Sequence, residues 1–239
     1  MTPTGRIDTH SHLLPGIDDG SRSYEESIAC ARVLVEHGYT HSFCTPHVWP
    51  SLPKNTLETI PGRVDDLQRH LDAANVPLRL IPGGELNLGL HLRSPRRETL
   101  PTYALAGRYA LIDLWCDCLP DYFESTVRQL QSLDVTLILA HPERMRAVQS
   151  EPELSDYFEE LGLLLQGNLN SISGGEGGGA ESVAHGYLRA GKYFMLGSDL
   201  HNLGSLPGRM KGVDVAREIV GDAELDRLMR VNPSKLLSY

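Results

Sequence analysis

The chain has 239 residues, 41% of them hydrophobic, with 22 basic and 31 acidic side chains and a formal charge of −9. That length is enough to bury a sizeable core in one domain, and the acidic balance argues against a broad nucleic-acid footprint. No apolar run reaches the roughly 18 to 20 residues that span a bilayer, and the start lacks a basic-then-apolar leader, so a cytoplasmic location without membrane insertion is expected. The four cysteines, Cys30, Cys44, Cys116 and Cys118, have neither zinc-ribbon nor secreted-framework spacing and read as buried or partly buried thiols.

A short strand opens the chain at Arg6 and runs into His10-Ser11-His12. Histidines spaced i, i+2 on an extended segment project to one side, and Asp18 and Asp19 follow on a turn bounded by glycines. Ser23 and Glu26 have capping-box spacing and start a helix that Gly38 ends. Its apolar surface is Ile28, Ala31, Val33, Leu34 and Val35. The strand Tyr39 to Thr45 delivers His47 just past Pro46, a stiff extended exit. A second helix over Pro61 to Ala74 precedes the apolar run Leu78 to Pro82, which ends in Gly83-Gly84-Glu85.

The strand Tyr109 to Trp115 carries Asp113 among apolar neighbours. A carboxylate there requires a cation or strong donors. A helix over Asp121 to Leu133 leads to the strand Val135 to Ala140 and then to His141-Pro142-Glu143-Arg144. A helix over Glu151 to Leu161 and a strand over Leu163 to Asn170 come next. The Gly-rich stretch Ser171 to Gly179 lacks the Lys-Ser/Thr ending of a P-loop and reads as a mobile rim loop. A helix over Ala180 to Ala190, the strand Tyr193 to Gly197, Asp199-Leu200-His201 and helices over Val213 to Val220 and Ala223 to Val231 complete the chain.

Four times a histidine or His/Asp pair falls at the carboxyl end of an expected strand: His10 with His12, His47, His141, and Asp199 with His201. Independent surface histidines would not choose that position repeatedly. About seven strand-helix units with polar residues after the strands predict a parallel α/β barrel whose site lies at the carboxyl ends. Mixed imidazole and carboxylate donors suit manganese, iron or zinc rather than magnesium or calcium.

His10-x-His12, Thr45-Pro46-His47, Glu85, His141-Pro142-Glu143-Arg144 and Gly197-Ser198-Asp199-Leu200-His201-Asn202 resemble the polymerase-and-histidinol-phosphatase (PHP) superfamily. The fuller opening, from His10 to Ser21, is similar to its bacterial manganese-dependent protein-tyrosine-phosphatase branch, which serves capsule and exopolysaccharide synthesis. The resemblance implies a single-domain, distorted (β/α)7 TIM-like barrel spanning the chain. It places His10, His12, Glu85 and Asp199 on one ion, and His47, Glu85, Asp113 and His141 on a second. Asp19 and His201 would contribute to a third.

The implied cofactors are two or three divalent transition metal ions, manganese first. The implied reaction is attack on phosphotyrosine by a hydroxide shared between two cations. The implied partner is a tyrosine-phosphorylated protein, a bacterial tyrosine kinase. Arg144 matches an arginine the family uses on phosphate. Two positions depart from the pattern: Asp113 stands where the relatives have glutamate, and Leu206 where they have a second arginine. Arg209 is the available substitute. A histidinol-phosphatase-type small-molecule enzyme and a non-catalytic metal-binding module docking on a kinase are the competing readings.

Overall fold

The computed structural model describes residues 3–92 and 95–237. Its strands are β1 (Arg6–Ser11), β2 (Tyr39–Cys44), β3 (His47–Val48), β4 (Arg79–Pro82), β5 (Glu85–Asn87), β6 (Tyr109–Asp113), β7 (Thr136–Ala140), β8 (Leu164–Asn168) and β9 (Tyr193–Gly197). The longer helices are α1 (Tyr24–Glu36), α2 (Ile60–Ala73), α3 (Phe123–Gln131), α4 (Arg146–Ser150), α5 (Leu154–Glu160), α6 (Leu169–Ile172), α7 (Gly178–Ala190) and α8 (Leu206–Asp226). Every strand pairing is parallel, in the orders β1-β2-β4 and β3-β5-β6-β7-β8-β9.

The nine strands among the described residues occupy seven positions, because β3 continues β2 and β5 continues β4. The first break falls at Thr45-Pro46, where proline has no N–H to donate to the ladder. The second falls at Gly83-Gly84, where a Cβ on Gly84 would lie 2.6 Å from Pro101 Cβ. Between β1 and the segment leaving β9, Asp199 N donates to His10 O at 2.7 Å and His12 N to Leu200 O at 2.8 Å. These bonds join the two sheets into the distorted α/β barrel that the strand count predicted.

Strand parity explains the interior. Ile7, Phe43, Leu111, Ile138 and Met195 form an inner apolar cluster with Leu236 and Leu237. Two or four residues further along the same strand faces come Asp113, Gln166, Asn168 and the backbone of Gly197. A single alternation thus gives an apolar floor and a polar top. The opposite faces, including Ile112, Leu137, Leu139, Leu165 and Leu196, pack under the helices.

Local signals hold with small changes. Ser23 Oγ accepts from Glu26 N at 3.3 Å, but Glu26 reaches back to Arg22 N rather than to Ser23. Ala31 and Leu34 of α1 are buried as expected, whereas Ile28, Val33 and Val35 are only partly covered. The stretch expected as a mobile loop after Asn170 is partly helical, since the Asn168 side chain caps α6 by accepting from Asn170 N at 2.8 Å. The two helices expected after Val213 are both present, separated within α8 at Gly221, whose φ of +78° is not helical, but the first starts earlier than expected, at Leu206 with Pro207 in its first turn. Cys118 is exposed rather than buried, and all four cysteines are free.

Candidate metal centre

All nine side chains expected to bind metal converge at the carboxyl ends of the strands. Four overlapping groups have ligand atoms close enough to share an ion: His12, Asp19, His47 and His201; His10, His12 and Glu85; His10, His141 and Asp199; and Glu85, Asp113 and His141. The grouping differs from the expected sets: His12 and His47 stand with Asp19 and His201, and Asp199 groups with His10 and His141.

Glu85 is the hub. Its Oε2 lies 2.7 Å from His47 Nδ1, 3.5 Å from His10 Nε2 and 3.6 Å from His12 Nε2, and its Oε1 lies 3.1 Å from His141 Nε2. On the other side, Asp199 Oδ1 is 3.4 Å from His10 Nε2 and 3.5 Å from His12 Nε2. Yet Glu85 Oε2, His47 Nδ1 and both Asp113 oxygens are buried without any aligned hydrogen bond. A buried carboxylate ionised without such bonds costs several kcal/mol, more than the roughly 2 kcal/mol from burying a leucine side chain. His141 Nε2 does bond Glu85 Oε1 at 3.1 Å, but the remaining nitrogens and carboxylate oxygens converge with donors left unbonded, which is what divalent cations require, so these side chains fit transition metal ions.

The histidines are held in the tautomers that ligation needs. His10 Nδ1 donates to Gln166 Oε1 at 2.9 Å, and His12 Nδ1 donates to Asp18 Oδ2 at 2.8 Å. Both Nε2 lone pairs therefore face the cluster. Asp18, rather than Asp19, is the buried member of the acidic pair, and it also accepts from His47 N at 3.1 Å and from Gly20 N at 3.0 Å. Asp19 is the exposed one, 3.3 Å from His47 Nε2 and 3.4 Å from His201 Nε2.

The backbone aims two of the ligands. His141 (φ +34°) and Asp199 (φ +51°) occupy the left-handed region, where non-glycine residues are strained. Asp8 steadies the second turn: it accepts from Ser198 N at 2.9 Å and Ser198 Oγ at 2.6 Å, tying β1 to the end of β9. Gly197 is required here, because a Cβ would approach His10 Cβ to 2.7 Å.

The charges follow from this packing. Burial pushes the Asp113 carboxyl up to about 8, with Glu85 beside it adding to the rise. For Glu85 burial acts in the same direction but is outweighed by His10, His47 and His141, which hold it well below the usual range. Burial and the surrounding histidines oppose each other in the same way at Asp199, and the histidines win. At Asp18 the His12 bond overrides burial and brings the carboxyl to about 2.

Arg144 stands at the mouth. Its Nη1 donates to Asp199 Oδ2 at 2.9 Å, its Nε is 3.6 Å from Glu176, and its guanidinium carbon lies 4.5 Å from the centroid of the Trp115 ring. It does not pair with Glu143, which is fully buried and accepts from Asn168 N and Tyr193 OH. Arg209, expected to replace a phosphate-gripping arginine, is buried instead. Its Nη1 donates to Ser198 O at 2.6 Å and lies 3.6 Å from Asp199 Oδ2, so it braces Asp199 from behind. Leu206 is fully buried and adds nothing to the mouth.

Comparison with known proteins places this arrangement. The sequence pattern of the family described as "Capsular polysaccharide synthesis, CpsB/CapC" matches residues 6–238. The chain belongs to the CpsB/CapC family. It is 28% identical over 197 residues to the tyrosine-protein phosphatase YwqE of Bacillus subtilis (strain 168), covering 82% of this chain and 78% of that one. To the tyrosine-protein phosphatase CpsB of Streptococcus pneumoniae it is 24% identical, covering 97% and 98%. A crystal structure from work on YwqE of Bacillus subtilis and CpsB of Streptococcus pneumoniae, described as metal-dependent tyrosine phosphatases, superposes with a TM-score of 0.82 at 26% identity, over 97% of this chain and 93% of that one. The phosphotriesterase homology protein of Escherichia coli, at 12% identity and a TM-score of 0.64, covers 98% of this chain and 99% of that one and shares the fold.

Sequence reasoning about this CpsB/CapC member singled out Asp18 beside Asp19 but not its role behind His12, and it missed Gln166, Asn168, Asp8 and Trp115. The signal for Gln166 and Asn168 was available: polar residues two apart in an otherwise apolar strand.

Proposed function

We propose that the chain is a metal-dependent phosphatase that hydrolyses phosphotyrosine in proteins. The observation that carries this reading is the buried hub of Glu85 and its four surrounding histidines, with the Asp113 oxygens beside it without hydrogen bonds and one guanidinium, Arg144, at the mouth. The names of the relatives YwqE and CpsB support the substrate. The ligands are drawn from the whole length between β1 and the end of β9, so the entire chain acts as one unit.

In this reading His10, His12, Glu85 and Asp199 hold one ion, and His47, Glu85, Asp113 and His141 a second, while Asp19 and His201 serve a third. Manganese is the proposed metal. Bound there, divalent ions supply water activation near neutral pH and charge neutralisation for the phosphoryl oxygens. The chain's own residues do the rest. Gln166 and Asp18 keep the Nε2 lone pairs of His10 and His12 directed inward. Arg144 offers a planar fork that takes two phosphate oxygens at once. Arg209 and Asn168, which donates to Asp199 Oδ2 at 2.8 Å, position Asp199 and do not touch substrate.

A phenolate leaving group, of parent pKa about 10, departs with little help from a general acid. A thiol nucleophile has no place in this chemistry. Burial pushes Cys30 up to about 12 and Cys116 to about 11, and raises Cys44 further, and no cysteine begins a Cys-x5-Arg loop. In this reading the enzyme works in the cytoplasm on a tyrosine-phosphorylated protein, a bacterial tyrosine kinase; the family description, capsular polysaccharide synthesis, is in keeping with that setting.

Phosphate release from a phosphotyrosine peptide and from histidinol phosphate, using chelated protein reconstituted with manganese, tests this reading. Release from the peptide is the expected result. Turnover of histidinol phosphate alone would move the enzyme to small-molecule metabolism, and metal uptake without any release would make it a binding module.

A further inference from the structure

Beside the metal cluster, on the Arg144 side, lies a cavity of about 260 Å³ lined by Trp115, Cys116, Asp117, Arg144, Met145 and Arg146. Trp115 is the most exposed of the large hydrophobic residues described, at 58%. An exposed indole of that size is not explained by the core, which it does not join. It is instead tied to the site: the Arg144 guanidinium lies over its ring at 4.5 Å, and its centroid is 6.4 Å from that of the His141 imidazole. Met145, 2% exposed, supplies a second apolar and polarizable wall.

We infer that this cavity receives the phenyl ring of the phosphotyrosine side chain and that Trp115 sets the preference for aryl over alkyl phosphate esters. The inference rests on the phosphatase reading and deepens it. An aryl ester carries its ring one bridging oxygen from phosphorus, so a phosphoryl group held by Arg144 brings the ring against whatever flanks that arginine. Here the flank is an indole and a thioether. Two aromatic rings in offset or edge contact are favoured beyond their buried area. An alkyl phosphate offers no ring to this wall and gains only the phosphate contacts.

Trp115 could act in another way, by stacking on Arg144 and fixing the guanidinium for any phosphate. The test separates the two roles. On manganese-loaded protein, binding is measured for a peptide bearing phosphonomethylphenylalanine, which is not hydrolysed, and for inorganic phosphate. Trp115→Ala is expected to weaken the peptide roughly fivefold or more and phosphate less than twofold, with Trp115→Phe close to wild type. In turnover the same variant raises KM for a phosphotyrosine peptide at nearly unchanged kcat, the mark of lost binding shared by ground and transition states.

Equal weakening of peptide and phosphate would overturn the inference and leave Trp115 as a support for Arg144. So would no change in either. Both results are read against wild-type turnover. Wild-type protein that releases phosphate from phosphotyrosine while Trp115→Ala keeps its aryl preference overturns this inference alone. Wild-type protein that releases none overturns the phosphatase reading and this inference with it.

Discussion

His10, His12, Glu85, Asp113 and Asp199 are fixed inside the ring of strands with at most 2% of their surface exposed, whereas Asp19 and Trp115 stand at the mouth, with 69% of the Asp19 side chain open to solvent. The inner group is positioned from behind: Gln166 behind His10, Asp18 behind His12, Arg209 and Asn168 behind Asp199. At the mouth, Asp19 meets His47 and His201 at 3.3 and 3.4 Å, and Arg144 divides its charge between Asp199 and Glu176. The difference teaches where geometry is fixed by folding and where substrate can still adjust it. Buried donors without alternatives define the ions, while exposed ones with several partners can exchange them.

The sharpest way to break this comparison is to change one carboxylate in each layer. Glu85→Gln removes a negative charge that four imidazoles surround. Loss of a ligand worth several kcal/mol of charge stabilisation is expected to cost on the order of a thousandfold in phosphotyrosine hydrolysis. The protein should also bind at least one equivalent less metal, as measured by elemental analysis after dialysis. Asp19→Asn, at the exposed edge, should cost far less and leave the inner ions in place. Equal losses from the two substitutions would mean that the layers do not differ.

Next in size is Asp18→Asn, which separates ligation from orientation. Asparagine retains the shape but replaces the charged acceptor facing His12 Nδ1. Residues that orient a metal-bound histidine are typically worth 10- to 100-fold in metal affinity or activity. The measurement is the manganese concentration giving half-maximal phosphate release. A loss of that size would place Asp18 with the inner group although it bears no ligand atom. An unchanged value would mean that the Asp18 contact does not govern how His12 binds metal.

The same two layers mark what the sequence could reveal. Ligands at strand ends were legible because extended runs such as Val135 to Ala140 announce where the chain turns, and a histidine there is conspicuous. Asp113 was legible because a lone carboxylate among Leu111, Ile112 and Leu114 needs a partner. Two kinds of feature were not. Asp18 and Asp19 are adjacent and identical, and only the fold of the turn decides which one faces inward. Arg209 sits on a helix whose start, Leu206-Pro207-Gly208, reads as a turn, so nothing in the sequence shows that its guanidinium runs under Asp199. The two broken strands were partly legible: Pro46 and Gly83-Gly84 read as strand exits, but that the chain resumes pairing beyond them depends on neighbours distant in sequence.

The smallest effect concerns protons. In metal-free protein the inner histidines are proton-rich. Burial lowers the pKa of both His10 and His12, but Glu85 and Asp199 beside His10, and Asp18 and Asp199 beside His12, outweigh it and raise them above the ordinary 6.5. Asp113 titrates at about 8 rather than 3.8. All three bind protons more tightly folded than unfolded, so their contribution is complete below the unfolded values. It is lost as pH rises, from about 4 to about 8 for Asp113 and above 6.5 for the two histidines. At the mouth, burial and then His12 lower the pKa of His201, which has the opposite sign and offsets part of the loss.

Metal-free protein should therefore melt at progressively lower temperature between pH 6.5 and 8.5, by about 2 to 4 °C for each kcal/mol lost in a chain of this length. Manganese reverses the slope, because bound ions require the deprotonated ligands and compete better with protons as pH rises. Scanning calorimetry with and without manganese should show the two melting curves separating with pH. Parallel curves would mean that ions and protons do not compete for the buried histidines, and the inner layer would then not be where the metals bind.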